Sequence, residues 1–258
     1  MPVKSFIILS CVAMMFLAPA QAAAEAWFFK PNGNEPPTTD SKYIKLLDKY
    51  DGAWIGDPSK KTIYLTFDNG YEEGYTKEIL DVLDKKNVPA AFFITGQYIK
   101  DQPKVVKRMV KDGHIVGNHS WGHPDLSKIS DKKYKVEIKR LDMAFHELTG
   151  KHMKYVRPPR GTFSKRALEL GYKMGYHNIF WSFAYVDWLT DQQKGKKHAY
   201  KSIMKRVHPG AIMLLHTVSK DNAKALPKVI DDLRDEGYQF KSLDYLMGHK
   251  KIPEFIFG

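Results

Sequence analysis

The stretch T-I-Y-L-T-F-D-N-G-Y, Thr62 to Tyr71, decides how this chain folds. Its apolar and β-branched residues run almost unbroken to Phe67, which predicts a buried strand. Asp68 and Asn69 then favour a turn, and Gly70 permits the backbone angles of a sharp exit. A carboxylate at the C-terminal end of a buried strand lies where parallel α/β enzymes collect their reactive groups. Alone, Asp-Asn-Gly is ordinary turn chemistry, and it gains weight only from residues further along the chain.

Downstream the pattern alternates. Helices are predicted over 76–86, 102–112, 131–148, 164–174, 198–207 and 222–235, and strands over 89–95, 114–116, 155–156, 177–181, 211–215 and 239–240. In the long segment, Tyr134, Ile138, Leu141, Phe145 and Leu148 fall on one helical stripe. Strands and helices at this spacing form parallel βαβ units. The fold class is therefore α/β, and about seven units leave a barrel or an open doubly wound sheet. No Gly-rich phosphate loop succeeds the first strand, which argues against a nucleotide-binding doubly wound fold.

Upstream, residues 25–60 are rich in turn formers, among them Pro31, Gly33, Pro36, Pro37, Gly52, Gly56 and Pro58. They also carry Trp27, Phe28 and Phe29, which need burial, so this stretch reads as an N-terminal extension packed on a main domain of residues 61–258. Lys4 followed by the apolar run from Phe6 to Leu17, with small residues at Ala18-Pro19-Ala20 and Ala22-Ala23-Ala24, predicts a signal peptide over 1–24. The run is too short for an ordinary membrane span, and the chain has no second one. The expected mature protein is exported and has no membrane span. Its one cysteine, Cys11, lies inside the signal, so disulfides, thiolate ligands and a cysteine nucleophile are excluded. With 41 Lys+Arg against 29 Asp+Glu, the net charge of +12 suits a partner such as an anionic wall polymer. The cations are spread along the chain without a basic arm or interleaved aromatics, so nucleic acid is not expected.

Polar residues gather at the predicted strand ends. After 114–116 come His119 and His123, four apart and able to share an ion from a helix or a tight loop. Arg157-Pro158-Pro159-Arg160 comes after the next strand, with prolines that fix the backbone and an arginine placed to pair with a carboxylate. Asp187-Trp188 closes an aromatic segment, and His216 ends the run Ile212 to Leu215.

Taken in order, these signals resemble the five motifs of the polysaccharide deacetylase family (carbohydrate esterase family 4, NodB-like): T-F-D-D, H-[ST]-x-x-H, R-x-P-Y, D-x-x-D-W and L-L-H. Here they stand as Thr66-Phe67-Asp68-Asn69, His119-Ser120-Trp121-Gly122-His123, Arg157-Pro158-Pro159-Arg160, Ala184-Tyr185-Val186-Asp187-Trp188 and Leu214-Leu215-His216, within roughly Lys61 to Gly248. The resemblance implies a distorted (β/α) barrel and metal-assisted removal of acetyl groups from an N-acetylated sugar polymer. By the same resemblance, Asp68 is the general base and Arg157 its partner. His119 and His123 hold a divalent ion, usually zinc. The Arg160 N–H supports the oxyanion, Trp188 and Leu214 wall the acetyl pocket, and His216 is the general acid.

The chain departs from the pattern at three places. Asn69 stands where the family has a metal-binding aspartate, and a neutral amide is a poorer ligand, so the ion's affinity and identity are left open. Ala184 replaces the aspartate that orients the acid histidine. Asp187 remains, and is expected among the substrate-binding residues. Arg160 replaces a tyrosine. With N-G-Y-E after the base and R-P-P-R-G, these departures resemble the sporulation branch that deacetylates N-acetylmuramic acid towards the muramic δ-lactam of spore cortex. An arginine at the groove could bind the lactyl carboxylate of that sugar through two N–H bonds. The alternatives are an N-acetylglucosamine deacetylase of peptidoglycan or chitin, and a non-catalytic wall-binding module.

Overall fold

A computed structural model of the chain describes residues 24–250, so the predicted signal, except for its last residue, and the final eight positions lie outside the described residues. The extension contributes three short strands, β1 (Glu25–Ala26), β2 (Lys30–Asn32) and β3 (Glu35–Thr38), and a helix α1 (Ser41–Lys49). The alternating unit begins with β4 (Thr62–Asn69), α2 (Thr76–Lys85), β5 (Ala90–Ile94), α3 (Gly96–Asp101), α4 (Pro103–Lys111), β6 (Ile115–Asn118) and α5 (Asp131–Thr149). It continues as β7 (Tyr155–Val156), β8 (Thr162–Phe163), α6 (Lys165–Lys173), β9 (His177–Asn178) and α7 (Lys196–Met204). It ends with β10 (Ile212–His216), α8 (Lys220–Asp235), β11 (Gln239–Phe240) and α9 (Leu243–Gly248).

The strands pair in the order β10-β4-β5-β6-β7-β9, all parallel, with β11 beside the start of β4. This is the expected α/β architecture, a curled parallel half-barrel. β4 is buried along its whole length because both faces are covered. Its outward residues, Ile63, Leu65 and Phe67, join the apolar layer under the helices. Tyr64 packs inside the curl with Ala91, Phe93, Tyr155, Ile179 and Ile212. Leu243 and Leu246 of α9 belong to that inner cluster.

Neither α1 nor α9 is signalled in the sequence beyond short apolar spacings, yet α1 has a clear start. Asp40 caps it by accepting from the Lys42 N–H at 2.9 Å, and Tyr43 and Leu47 turn inward. The extension is tied in more closely than packing alone requires. Trp27, Tyr43, Leu47, Tyr50 and Trp54 form one buried cluster with Phe163, Leu168 and Phe180. Beyond that cluster, Ala53 bridges Ile179 in parallel and Ile55 bridges Ala211 in antiparallel fashion. Residues 53–55 thus occupy the gap between the β9 end and the β10 end of the sheet, where Phe183 also bridges Met213. No helix among the described residues is long and apolar enough to cross a membrane.

Candidate active site

Asp68 lies near the C-terminal end of β4, and its register partners are His216 on β10 and Phe93 on β5. Adjacent strands run about 4.8 Å apart, so the predicted base and predicted acid stand side by side. Arg157, just after β7, is wholly buried. Its Nη1 donates to Asp68 Oδ1 at 2.8 Å, and Nε and Nη2 donate to the carbonyls of Ile179 and Phe180 at 3.2 and 3.4 Å. The guanidinium also lies 4.2 Å from the Phe93 ring centroid. Burial alone would raise the Asp68 pKa, but the Arg157 charge, reinforced by His119 and His216, holds it below the ordinary carboxylate value. Asp68 is therefore kept ionised.

His119 and His123 sit on a tight loop after β6 rather than on a helix. Ser120 and His123 both take left-handed φ, 65° and 55°. Asn118 Oδ1 accepts from the Ser120 N–H at 2.9 Å, and Ser120 Oγ accepts from the His123 N–H at 3.0 Å. These bonds hold a conformation that L-residues otherwise avoid. The two imidazoles approach to 4.9 Å between centroids. Burial lowers the pKa of both, to about 4 for His123, where the charges of His119 and Arg160 add to the effect. Both rings are thus neutral near pH 7. His119 Nδ1 lies 2.8 Å from the Arg157 carbonyl and so carries the proton, which leaves Nε2 bare at 3.5 Å from Asp68 Oδ2. Two acceptors that close need a donor between them, and a water molecule would serve.

On the other side, His216 Nδ1 lies 2.7 Å from Asp187 Oδ1, and Asp187 Oδ2 accepts from the His216 backbone N–H at 2.8 Å. Asn222 Nδ2 donates to the same Oδ2 at 2.6 Å, and the Tyr185 hydroxyl bonds Asn222 in turn. Burial would lower the His216 pKa, yet Asp187, by charge and hydrogen bond, raises it above its ordinary value. Asp187 is 3% exposed and does not line the cavity. Asp187, expected among the substrate-binding residues, bonds His216 instead.

The groups face a cavity of about 1010 Å³ that Asp68, His119, His123, Arg160, Trp188, Leu214 and His216 all help to line. The Trp188 ring stands 5.5 Å from His216 at 61°. Arg160 has φ 59°, left-handed, on a tight turn whose next residue, Gly161, also has positive φ. A Cβ on Gly161 would come within 2.7 Å of the Trp181 ring and 3.2 Å of Trp27 Cβ. Trp27, from the extension, donates its N–H to the Gly161 carbonyl at 2.9 Å and its Nε1 to the Trp181 carbonyl at 2.9 Å. Sequence reasoning assigned Trp27 burial but no part in the site, and assigned nothing to Trp121, Trp181 or Asn222. Asn222 could have been suspected from Ser219, a helix cap just past His216.

Asn69 is the predicted site residue that stays apart. Successive strand residues face opposite ways, and Asn69 is fully buried and absent from the cavity wall. Its Nδ2 donates to Thr217 Oγ1 at 2.6 Å, and its Oδ1 is buried without a hydrogen-bond partner. The donors facing the cavity are then two neutral imidazoles and an Asp68 already bound to Arg157. Among the described residues no group of three or more His, Cys, Asp or Glu could hold a metal ion. The resemblance implies an ion site of one carboxylate and two histidines, and here the neutral amide of Asn69 stands at the carboxylate's sequence position.

Known proteins share this sequence pattern and architecture. The family model described as polysaccharide deacetylase matches residues 55–179. The peptidoglycan-N-acetylmuramic acid deacetylase PdaA of Bacillus subtilis is 48% identical over 251 residues, covering 94% of this chain and 95% of that protein. The solved structure of PdaA, described as a family 4 carbohydrate esterase, superposes with a TM-score of 0.86 over 88% of this chain and 98% of that one. A peptidoglycan-N-acetylglucosamine deacetylase of Bacillus cereus is 30% identical over 201 residues, 76% of this chain and 72% of its own length.

Proposed function

The chain belongs to the polysaccharide deacetylase family, and on that premise we propose that it hydrolyses the acetamide of N-acetylmuramic acid units in peptidoglycan. The observation that carries the reading is the opposed pairing of two register neighbours: Asp68 bonded to the buried Arg157, His216 bonded to the buried Asp187. Amide hydrolysis needs a base for water and an acid for the departing amine, and these two supply them. A water between Asp68 Oδ2 and His119 Nε2 gives its proton to Asp68 as it attacks the carbonyl carbon. The Arg160 N–H supports the developing oxyanion. His216 Nε2, the ring nitrogen not tied to Asp187, then protonates the nitrogen as the carbon–nitrogen bond breaks, releasing acetate and a free amine.

The family's divalent ion, zinc by resemblance, would be held by His119 and His123, with the neutral amide of Asn69 at the sequence position of the family's carboxylate. Trp188 and Leu214 wall the space for the acetyl methyl. Arg160 stands at the cavity as the reader of the lactyl carboxylate, the group that separates muramic acid from glucosamine. Residues 1–24 serve as an export signal, 25–60 as the extension and 61–258 as the catalytic domain. The setting is the extracytoplasmic wall, and the product is the precursor of muramic δ-lactam in spore cortex. The test is mass spectrometry of peptidoglycan digested after treatment. Loss of about 42 Da, one acetyl group, from muramyl units supports the proposal, and loss from glucosaminyl units alone overturns it in favour of the second sugar.

A further inference from the structure

The catalytic cavity has a neighbour on the protein surface. Trp121, between the two loop histidines, lines it on one side and on the other lines a second trough of about 930 Å³ that runs along the outer face of α5. Trp121 is held by a close approach: its carbonyl accepts from the Gly96 N–H at 3.0 Å, and a Cβ on Gly96 would lie 2.3 Å from its ring. Two cations crowd that ring, Arg140 at 4.1 Å and Lys100 at 4.8 Å from the centroid. Neither has an acidic partner among the described residues.

Beyond Trp121, α5 presents an apolar strip flanked by charge. Val136 is 53% exposed and Met143 68% exposed, one helical stripe on a face otherwise lined by Lys132, Lys135 and Lys139. None of these three lysines is ion-paired among the described residues. Glu147 is the acid at the far end, beside the stacked rings of His146 and His152. From Lys132 to His146 the helix rises about 21 Å. Apolar patches suit the faces of pyranose rings, and unpaired lysines suit the carboxylates such rings carry.

We propose that this face of α5 is a second binding site for the substrate strand, gripping carboxylate-bearing sugars beyond the unit being deacetylated. The site rests on the proposed function for the identity of that strand. Its place next to the catalytic cavity, with Trp121 lining both, favours the glycan over a separate phosphate polymer of the wall.

Binding of long, peptide-stripped glycan strands can be measured by sedimentation in a His216→Ala background, which makes the result independent of acetate release. Lys135→Glu with Lys139→Glu should weaken that binding about tenfold at low salt, and the gap should close near about 0.5 M salt. Val136→Ser with Met143→Ser, which alters no charge, should weaken it by a salt-independent factor of about three. Both pairs should leave kcat/KM on the shortest acetylated muramyl fragment unchanged in the otherwise native protein. Undiminished binding of long strands overturns the proposal, as does equal loss on long and short substrates. Weakened binding of poly(glycerol phosphate) with strand binding intact also overturns it, in favour of the phosphate polymer.

Discussion

The two carboxylates of the site are handled in opposite ways. Asp68 faces the cavity with one oxygen fastened to a buried arginine and the other open. Asp187 is turned wholly inward, with one oxygen on the ring of His216 and the other taking two N–H donors. One keeps an oxygen towards the cavity. The other is withdrawn from the cavity wall and holds the ring of a neighbour. The difference teaches that in a pocket this crowded, a carboxylate's role depends on which of its oxygens are left free.

Breaking the base side should have the largest effect. Asp68→Asn should lower acetate release by at least about a thousandfold, read by enzymatic acetate assay. It also leaves Arg157 buried without its counter-charge, at a cost of about 3–5 kcal/mol in stability, measurable by urea denaturation. Breaking the acid side should cost less. Asp187→Asn should lower kcat by about a hundredfold and move the alkaline limb of the pH–rate profile to lower pH, because the raised His216 pKa falls. The linked stability differs in sign as well. The Asp187–His216 pair contributes fully below the ordinary histidine value of 6.5 and loses its contribution as pH rises through the raised one. The Asp68 contribution is present above the ordinary 3.8 and is lost as pH falls through the lowered value.

Smaller changes sharpen the contrast. Arg160→Tyr should shift the ratio of muramyl to glucosaminyl turnover about tenfold towards glucosaminyl units, read by mass spectrometry, while leaving the pH limbs in place. Asn69→Asp should tighten zinc binding about tenfold in titration calorimetry. An unchanged affinity would mean that residue 69 stays turned to Thr217.

The base side is the more legible in sequence. Asp68, Arg157 and the two histidines each come after a strand signalled by its own apolar run, and parallel strands deliver such ends to one place. On the acid side His216 is visible for the same reason, but the role of Asp187 is not. It lies in the irregular stretch between β9 and α7, where linear spacing does not say which way a side chain turns. The direction of Asn69 depends on strand register. The sheet is legible from its alternation, while α1 and the bridges of residues 53–55 are hidden among prolines and glycines that read as turns.

Those bridges bear on how the molecule comes together. Ala53 and Ile55 find their partners at Ile179 and Ala211, so the seam they fill cannot form until most of the chain is available. Such closure is a late event of high contact order, and it makes folding slow. A fragment that begins after residue 55 would leave two sheet edges bare, exposed to pairing with another chain.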